Sequence, residues 1–119
     1  MNNCPVCKNM LKPVRLTCDK CSITIEGNFR MTRLARLTSE SQQLAEDFIM
    51  SGGNLKDLAS QLDVSYPTLR KRIDELMSAL SDLKEQDENE INEILDAVEG
   101  GKLNAEEGIR LIKEMGNEV

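Results

Sequence analysis

Apolar residues near the start of the chain keep a period of two, and further on they recur every three or four. Val14 and Leu16 alternate with Arg15 and Thr17, and Ile23 and Ile25 alternate with Thr24 and Glu26. This pattern predicts a β-hairpin built from residues 12–17 and 22–26. After Glu26-Gly27-Asn28 the period lengthens. Leu44, Phe48 and Ile49 are spaced to face a core from a first helix, capped by Thr38 or Ser39 and stopped at Ser51-Gly52-Gly53. Asn54 can cap a second helix, because its side-chain oxygen reaches a free amide of the first turn. Leu55, Leu58, Ala59 and Leu62 then form an amphipathic stripe. Asp63-Val64-Ser65 reads as a short turn. Ser65 can cap a third helix, and Pro67 is tolerated in its first turn, where amides lack helical partners. Val64 and Leu69 can staple that start, and Leu69, Ile73, Leu76, Met77 and Leu80 supply its buried stripe.

Ser81 to Glu90 holds one large apolar residue, Leu83, so it is either a linker or a solvent-facing continuation of the third helix. Ile91, Ile94, Leu95 and Val98 restore helical periodicity, and Gly100-Gly101 closes that helix. Asn104 with Glu107 predicts a capping box for a last helix carrying Ile109, Leu111, Ile112 and Met115. A helical hairpin of about thirty residues is too small to stand alone. It must dock on the rest of the chain or on a second copy, and self-association as a homodimer is the expectation. The fold class is therefore mainly α with a small β ribbon. Residues 1–28 form the ribbon, 29–84 a basic connector and three-helix unit, and 85–119 the carboxy-terminal hairpin.

Two Cys-x-x-Cys pairs, Cys4/Cys7 and Cys18/Cys21, flank the predicted hairpin and use all four cysteines of the chain. No basic stretch followed by an apolar run opens the sequence, and no apolar segment approaches the roughly 18 residues of a membrane span. A cytoplasmic setting with reduced thiols is therefore expected, and paired cysteines then read first as metal ligands. Two short loops, each aiming two thiolates at one ion, complete the tetrahedral shell that zinc prefers. One structural zinc, held by Cys4, Cys7, Cys18 and Cys21, is the reading; two disulfides or a redox Cys-x-x-Cys are the alternatives. Four sulfur ligands leave no position for water or substrate. Lys8 and Ser22 follow the pairs where glycine is common, which predicts some strain in both knuckles.

Charge is distributed unevenly. Residues 1–36 carry seven cations against two anions, residues 37–80 four against seven, and residues 81–119 four against twelve. A basic head and an acidic tail point to different partners, although a charged tail can also be only a solvated helix. Arg30, Arg33 and Arg36 recur at steps of three and, if helical, form one cationic ridge for phosphate contact; a solvated connector is the alternative.

The second and third helices, joined by a tight turn, match a helix-turn-helix. With Leu69 inward, Lys71 lies about 200° away at about 100° per residue, and Thr68 shares that outer side. Base contacts are assigned to Tyr66, Thr68 and Lys71, and backbone contacts to Ser65, Arg70 and Arg72. Asp74 and Glu75 follow on the outside and would be repelled by phosphates, which fits a helix that reads with its first two turns only. A plain three-helix core is the bland alternative. The same fold used on a protein such as RNA polymerase is another, because DNA binders usually show a broader basic footprint.

The combination of Cys4, Cys7, Cys18 and Cys21, then Phe29 to Leu37, Gly53-Asn54-Leu55-Lys56 and Val64 to Leu76 resembles a family of bacterial proteins known as a domain of unknown function. The resemblance covers about two thirds of the chain. It implies a zinc ribbon joined to a helix-turn-helix, a role in transcriptional regulation and no catalytic residues. Asp63 departs from it, standing where glycine is frequent in the turn. Residues 91–115 are similar to short helical modules of bacterial envelope-stress proteins and other oligomerising carboxy-terminal domains.

An enzyme is not expected. The chain has no histidine for acid–base work, its thiols are claimed by the metal, and no glycine-rich phosphate loop or small-molecule substrate site is evident. Double-stranded DNA is the expected partner.

Overall fold

The computed structural model describes residues 3–115. Strands β1 (Arg15–Thr17) and β2 (Thr24–Glu26) are followed by a single 3-10 turn (Leu34–Arg36). Four helices follow: α1 (Ser39–Met50), α2 (Leu55–Leu62), α3 (Tyr66–Glu99) and α4 (Ala105–Glu114). Arg33–Lys84 make one compact unit. The described parts of residues 2–32 and 85–119 make another, so the ribbon clusters with the carboxy-terminal helices.

In the first unit each helix begins where a polar side chain accepts an otherwise orphaned amide. Thr38 Oγ1 accepts from Ser41 N at 3.2 Å, and Asn54 Oδ1 accepts from Lys56 N and Asp57 N at 3.0 and 3.2 Å. Ser65 Oγ accepts from Thr68 N at 3.3 Å. Helix α1 ends on Gly52 and Gly53, both at positive φ (70° and 81°), a conformation glycine adopts without a Cβ clash. Helix α2 ends on Asp63 in the left-handed region at φ 54°, ψ 44°, and Val64 N then donates to Ala59 O at 3.1 Å. The side chain at the predicted non-glycine turn position thus sits in the strained conformation itself.

Leu58, Ala59, Leu69 and Ile73 form the core, with Leu44, Phe48, Leu55, Leu62 and Val64 packed around them. Leu58 and Leu69 are fully buried, a gain of about 2 kcal/mol each. Two expected core residues lie outside. Ile49 is 67% exposed because it projects about 140° from Leu44 on α1, beyond the reach of a core this narrow. Met77 is 58% exposed because it stands about 80° from Leu69, at the stripe's edge. Leu37 is buried instead, and Gln42 Nε2 donates to Leu37 O and Ala35 O at 2.8 and 3.1 Å, closing the end of the 3-10 turn.

The cationic ridge does not form. Only Leu34–Arg36 is helical, so Arg30 lies outside any helix. Arg33 and Arg36 are half-buried and have contacts of their own. Arg30 is engaged by acids: its Nη2 lies 2.8 Å from Asp87 Oδ1 and 3.0 Å from Glu90 Oε2, and Nη1 donates to Glu90 Oε1 at 3.4 Å. The carboxylates take the guanidinium donors that a phosphate would need.

Residues 81–90 continue α3 without a break. Asp87 is only 3% exposed. It falls eighteen residues after Leu69, about five full turns, and therefore on the same inner stripe. At the far end of α3, Gly108 of α4 is buried, and a Cβ there would stand 2.5 Å from Val98 Cγ2. Glycine inside a helix costs about 1 kcal/mol against alanine; here it permits the close approach of α4 to α3. Asn104 caps α4 by accepting from Glu107 N at 2.8 Å, while Glu107 Oε1 accepts from Asn104 Nδ2 rather than from a backbone amide. Ile112 is buried and Ile109 half-exposed.

Breaking one side of a buried ion pair leaves an uncompensated charge, whereas replacing both sides with apolar groups does not. Arg30→Met is expected to cost about 3 kcal/mol in denaturant unfolding. Arg30→Met with Asp87→Leu is expected to recover most of that loss. A double variant at least as unstable as the single one would contradict the pairing.

Candidate metal centre and nucleic-acid interface

The two cysteine knuckles repeat one hydrogen-bond pattern. Cys4 N donates to Asn9 O at 2.8 Å and Lys8 N to Cys4 O at 2.9 Å; Cys18 N donates to Ile23 O at 2.9 Å and Ser22 N to Cys18 O at 2.8 Å. Each loop needs a left-handed residue just after its second cysteine, and Lys8 (φ 66°) and Ser22 (φ 62°) occupy those positions. The strain expected from missing glycines is therefore local and real, about 1 kcal/mol per residue. An isolated antiparallel bridge, Asn3 with Met10, closes the first knuckle. Strands β1 and β2 pair antiparallel, with Leu16 opposite Ile25 and Arg15 opposite Glu26. Both strands are three residues long, shorter than the apolar alternation suggests: Pro13 has no amide to pair ahead of β1, and Ser22 and Ile23 ahead of β2 belong to the second knuckle. Val14, Leu16, Ile23 and Ile25 share one face, and each is about half-exposed.

The thiols are drawn together in pairs. Cys4 lies in hydrogen-bond contact with Cys7, and Cys18 with Cys21. All four are free thiols. Among the described residues no three metal-binding side chains gather into one group. The chemistry of the donors still fits zinc. Backbone amides of Cys7 and Val6 point at the Cys4 sulfur and hold its pKa below the usual thiol value; Val6 N lies 3.4 Å from Sγ. The amides of Cys21 and Lys20 do the same for Cys18. Amides aimed at sulfur favour the thiolate, the form that binds metal. Cys4, Cys7, Cys18 and Cys21 would hold the ion, and its contribution is to clamp a hairpin whose own face is too small to fold it.

The start of α3 is the second candidate. Leu69 is fully buried, which fixes the helix against α2, and Ser65, Tyr66, Thr68, Arg70 and Lys71 all lie exposed around it. Ser65 Oγ also donates to Thr68 Oγ1 at 2.8 Å, so the two hydroxyls form one polar pair at the helix start. Arg70 Nε lies 3.5 Å from Asp74 Oδ1 with both side chains half-exposed, a weak i,i+4 pair that a phosphate can replace. Arg72 is exposed too but lines a groove together with residues of α1. Of the thirteen residues singled out from sequence, the structure places five together at the start of α3 and the cysteines in their knuckles. It pairs Arg30 with Asp87 and Glu90 instead. Asp87 was missed; its phase on the stripe of α3 was the available signal.

Removing metal with a chelator is expected to erase protection of amides in residues 3–28 while the helical ellipticity of α1 and α2 persists. Hydrogen exchange read residue by residue checks this, and unchanged protection of the Cys18 and Ser22 amides would refute it.

Two family profiles match the chain. One, described as the DUF2089 zinc ribbon, covers residues 4–35, and one, described as the helix-turn-helix of the domain of unknown function DUF2089, covers residues 37–82. Neither a curated protein nor a solved structure matches. No helix among the described residues is long and apolar enough to cross a membrane. With the ribbon and the helix-turn-helix matched in order over about two thirds of its length, the chain belongs to the DUF2089 family.

Proposed function

We propose that the protein is a sequence-specific DNA-binding transcriptional regulator of the cytoplasm, dimeric, with one structural zinc and no catalytic activity. The observation that carries this reading is the start of α3, where a fully buried Leu69 holds an exposed polar and cationic turn in place. The family's helix-turn-helix match supports it. Tyr66, Thr68 and Lys71 read base edges, and Ser65 and Arg70 hold phosphates. Asp74 and Glu75, one turn on, keep the rest of α3 out of the groove by repulsion. Arg30 has no part in the contact, because Asp87 and Glu90 occupy it. Dimerisation uses the end of α3 and α4, where Leu95 and Ile109 each stay about half-exposed.

A second reading, an adaptor that contacts RNA polymerase or another regulator, is favoured by one observation. The apolar face of the ribbon, formed by Val14, Leu16, Ile23 and Ile25, has no cover sufficient to bury it.

Binding of duplex DNA read by fluorescence anisotropy across several salt concentrations separates the two. The DNA reading expects Arg70→Ala to weaken binding to every sequence and to lower the salt slope by about 1. Absence of binding to any duplex at low salt would leave the adaptor reading. Sedimentation equilibrium is expected to give twice the chain mass for the wild type and the single mass for Leu95→Lys with Ile109→Lys. A wild type of single mass at high concentration would end the dimer proposal.

A further inference from the structure

The exposed turn at the start of α3 has a composition that sorts the four bases. Residues 65–72 read Ser-Tyr-Pro-Thr-Leu-Arg-Lys-Arg and hold no Asn, Gln, Asp or Glu. In the major groove adenine N6 and cytosine N4 carry protons, which proteins meet with carboxamides and carboxylates. This turn offers neither. Asp74 and Glu75 stand farther along α3, and Arg70 Nε lies 3.5 Å from Asp74 Oδ1. Guanine presents two acceptors, N7 and O6, and thymine presents O4 and a methyl group. A cationic donor matches the first base, and apolar carbon matches the second.

Placement on the helix narrows the readers to three residues. Leu69 is fully buried, so the direction opposite it faces away from the core. Pro67 and Lys71 each lie about 20° from that direction, and Thr68 about 80°. Pro67 and Thr68 therefore stand about 40° and 60° to either side of Lys71. All three are exposed. The Pro67 ring is apolar and has no rotamer freedom to lose on contact. Ser65 Oγ donates to Thr68 Oγ1 at 2.8 Å, which anchors the Thr68 hydroxyl and with it the position of the methyl group. Pro67 and Lys71 are about 6 Å apart along the axis, against about 3.4 Å per base step, so the bases they touch lie within two pairs of each other.

We propose that Pro67 and the Thr68 methyl group pack on the methyl group of a thymine, while Lys71 donates to N7 and O6 of a guanine no more than two base pairs away. This rests on the DNA reading of α3 and names the base pairs that it selects. Pro67, not among the contacts assigned above, becomes a specificity-determining residue. Arg70, about 100° from Lys71, is left to the phosphates.

The test selects duplexes from a pool with a random core, using the full-length protein, and rebuilds the enriched duplexes with base analogues. Replacing guanine with 7-deazaguanine removes N7, and replacing thymine with uracil removes the methyl group. Affinity is read by fluorescence anisotropy. Each analogue is expected to weaken wild-type binding about fivefold or more. Pro67→Ser with Thr68→Ser removes the apolar carbon and keeps a hydroxyl at 68; it is expected to erase the uracil penalty and keep the 7-deazaguanine one. Lys71→Ala is expected to do the reverse. Thermal melts of both variants establish that the fold is kept, and the analogue series on the wild type needs no variant. Enriched duplexes that bind equally well with both analogues, or a pool that binds without enrichment, would overturn the base assignment and leave DNA binding standing. A uracil penalty undiminished in the double variant would overturn the roles of Pro67 and Thr68. No binding to any duplex at low salt would remove the DNA reading along with the proposal.

Discussion

The Asp87 carboxylate sits on the inner stripe of α3 and is held there by Arg30. A carboxylate stripped of water costs several kcal/mol unless a cation and hydrogen bonds replace the lost hydration. Asp87 therefore makes a demand on the chain that an apolar residue at the same position would not. Arg30 meets it from the segment that follows the ribbon, and Glu90, one turn on, accepts two further guanidinium hydrogen bonds. The ion cluster does two things at once. It lets α3 run unbroken through a stretch whose composition is that of a linker, and it binds the ribbon segment to the carboxy-terminal helices as one unit. An arginine that composition assigns to nucleic acid is spent on the fold.

A different economy governs the helix-turn-helix unit. Its core is small, and only two side chains in it are wholly removed from solvent, Leu58 and Leu69. Each helix start is secured by a side-chain cap, and the ends of α1 and α2 by left-handed residues. Because α2 stops abruptly at Asp63, Ser65 and Tyr66 emerge at the surface with the hydroxyl pair and Lys71 beside them. The same packing leaves a groove between α1 and α3, with Leu44, Leu62 and Leu76 in its lining.

Much of the local structure was legible before any coordinate. The caps at Thr38, Asn54, Ser65 and Asn104 are set by side chains that reach their own backbone, so nothing distant can change them. The cysteine knuckles are equally local, and Lys8, Ser22 and Asp63 stood out in the sequence as residues in glycine's place; all three adopt positive φ. The arginine ridge needed a helix that local signals do not secure, and only Leu34–Arg36 turns; elsewhere a choice between faces was at stake. Ile49 and Met77 are apolar and near the right spacing, but the core is too narrow to reach them.

The sequence by itself determined where the four helices begin and the two thiol pairs of a zinc ribbon, because each depends on groups within a few residues of one another. Only tertiary structure decided that Asp87 is a core residue, that Arg30 belongs to it, and that Gly108 is required opposite Val98. Those facts join residues between ten and fifty-seven positions apart. A pattern of polar and apolar letters records which residues can leave water but not which partner will meet them there.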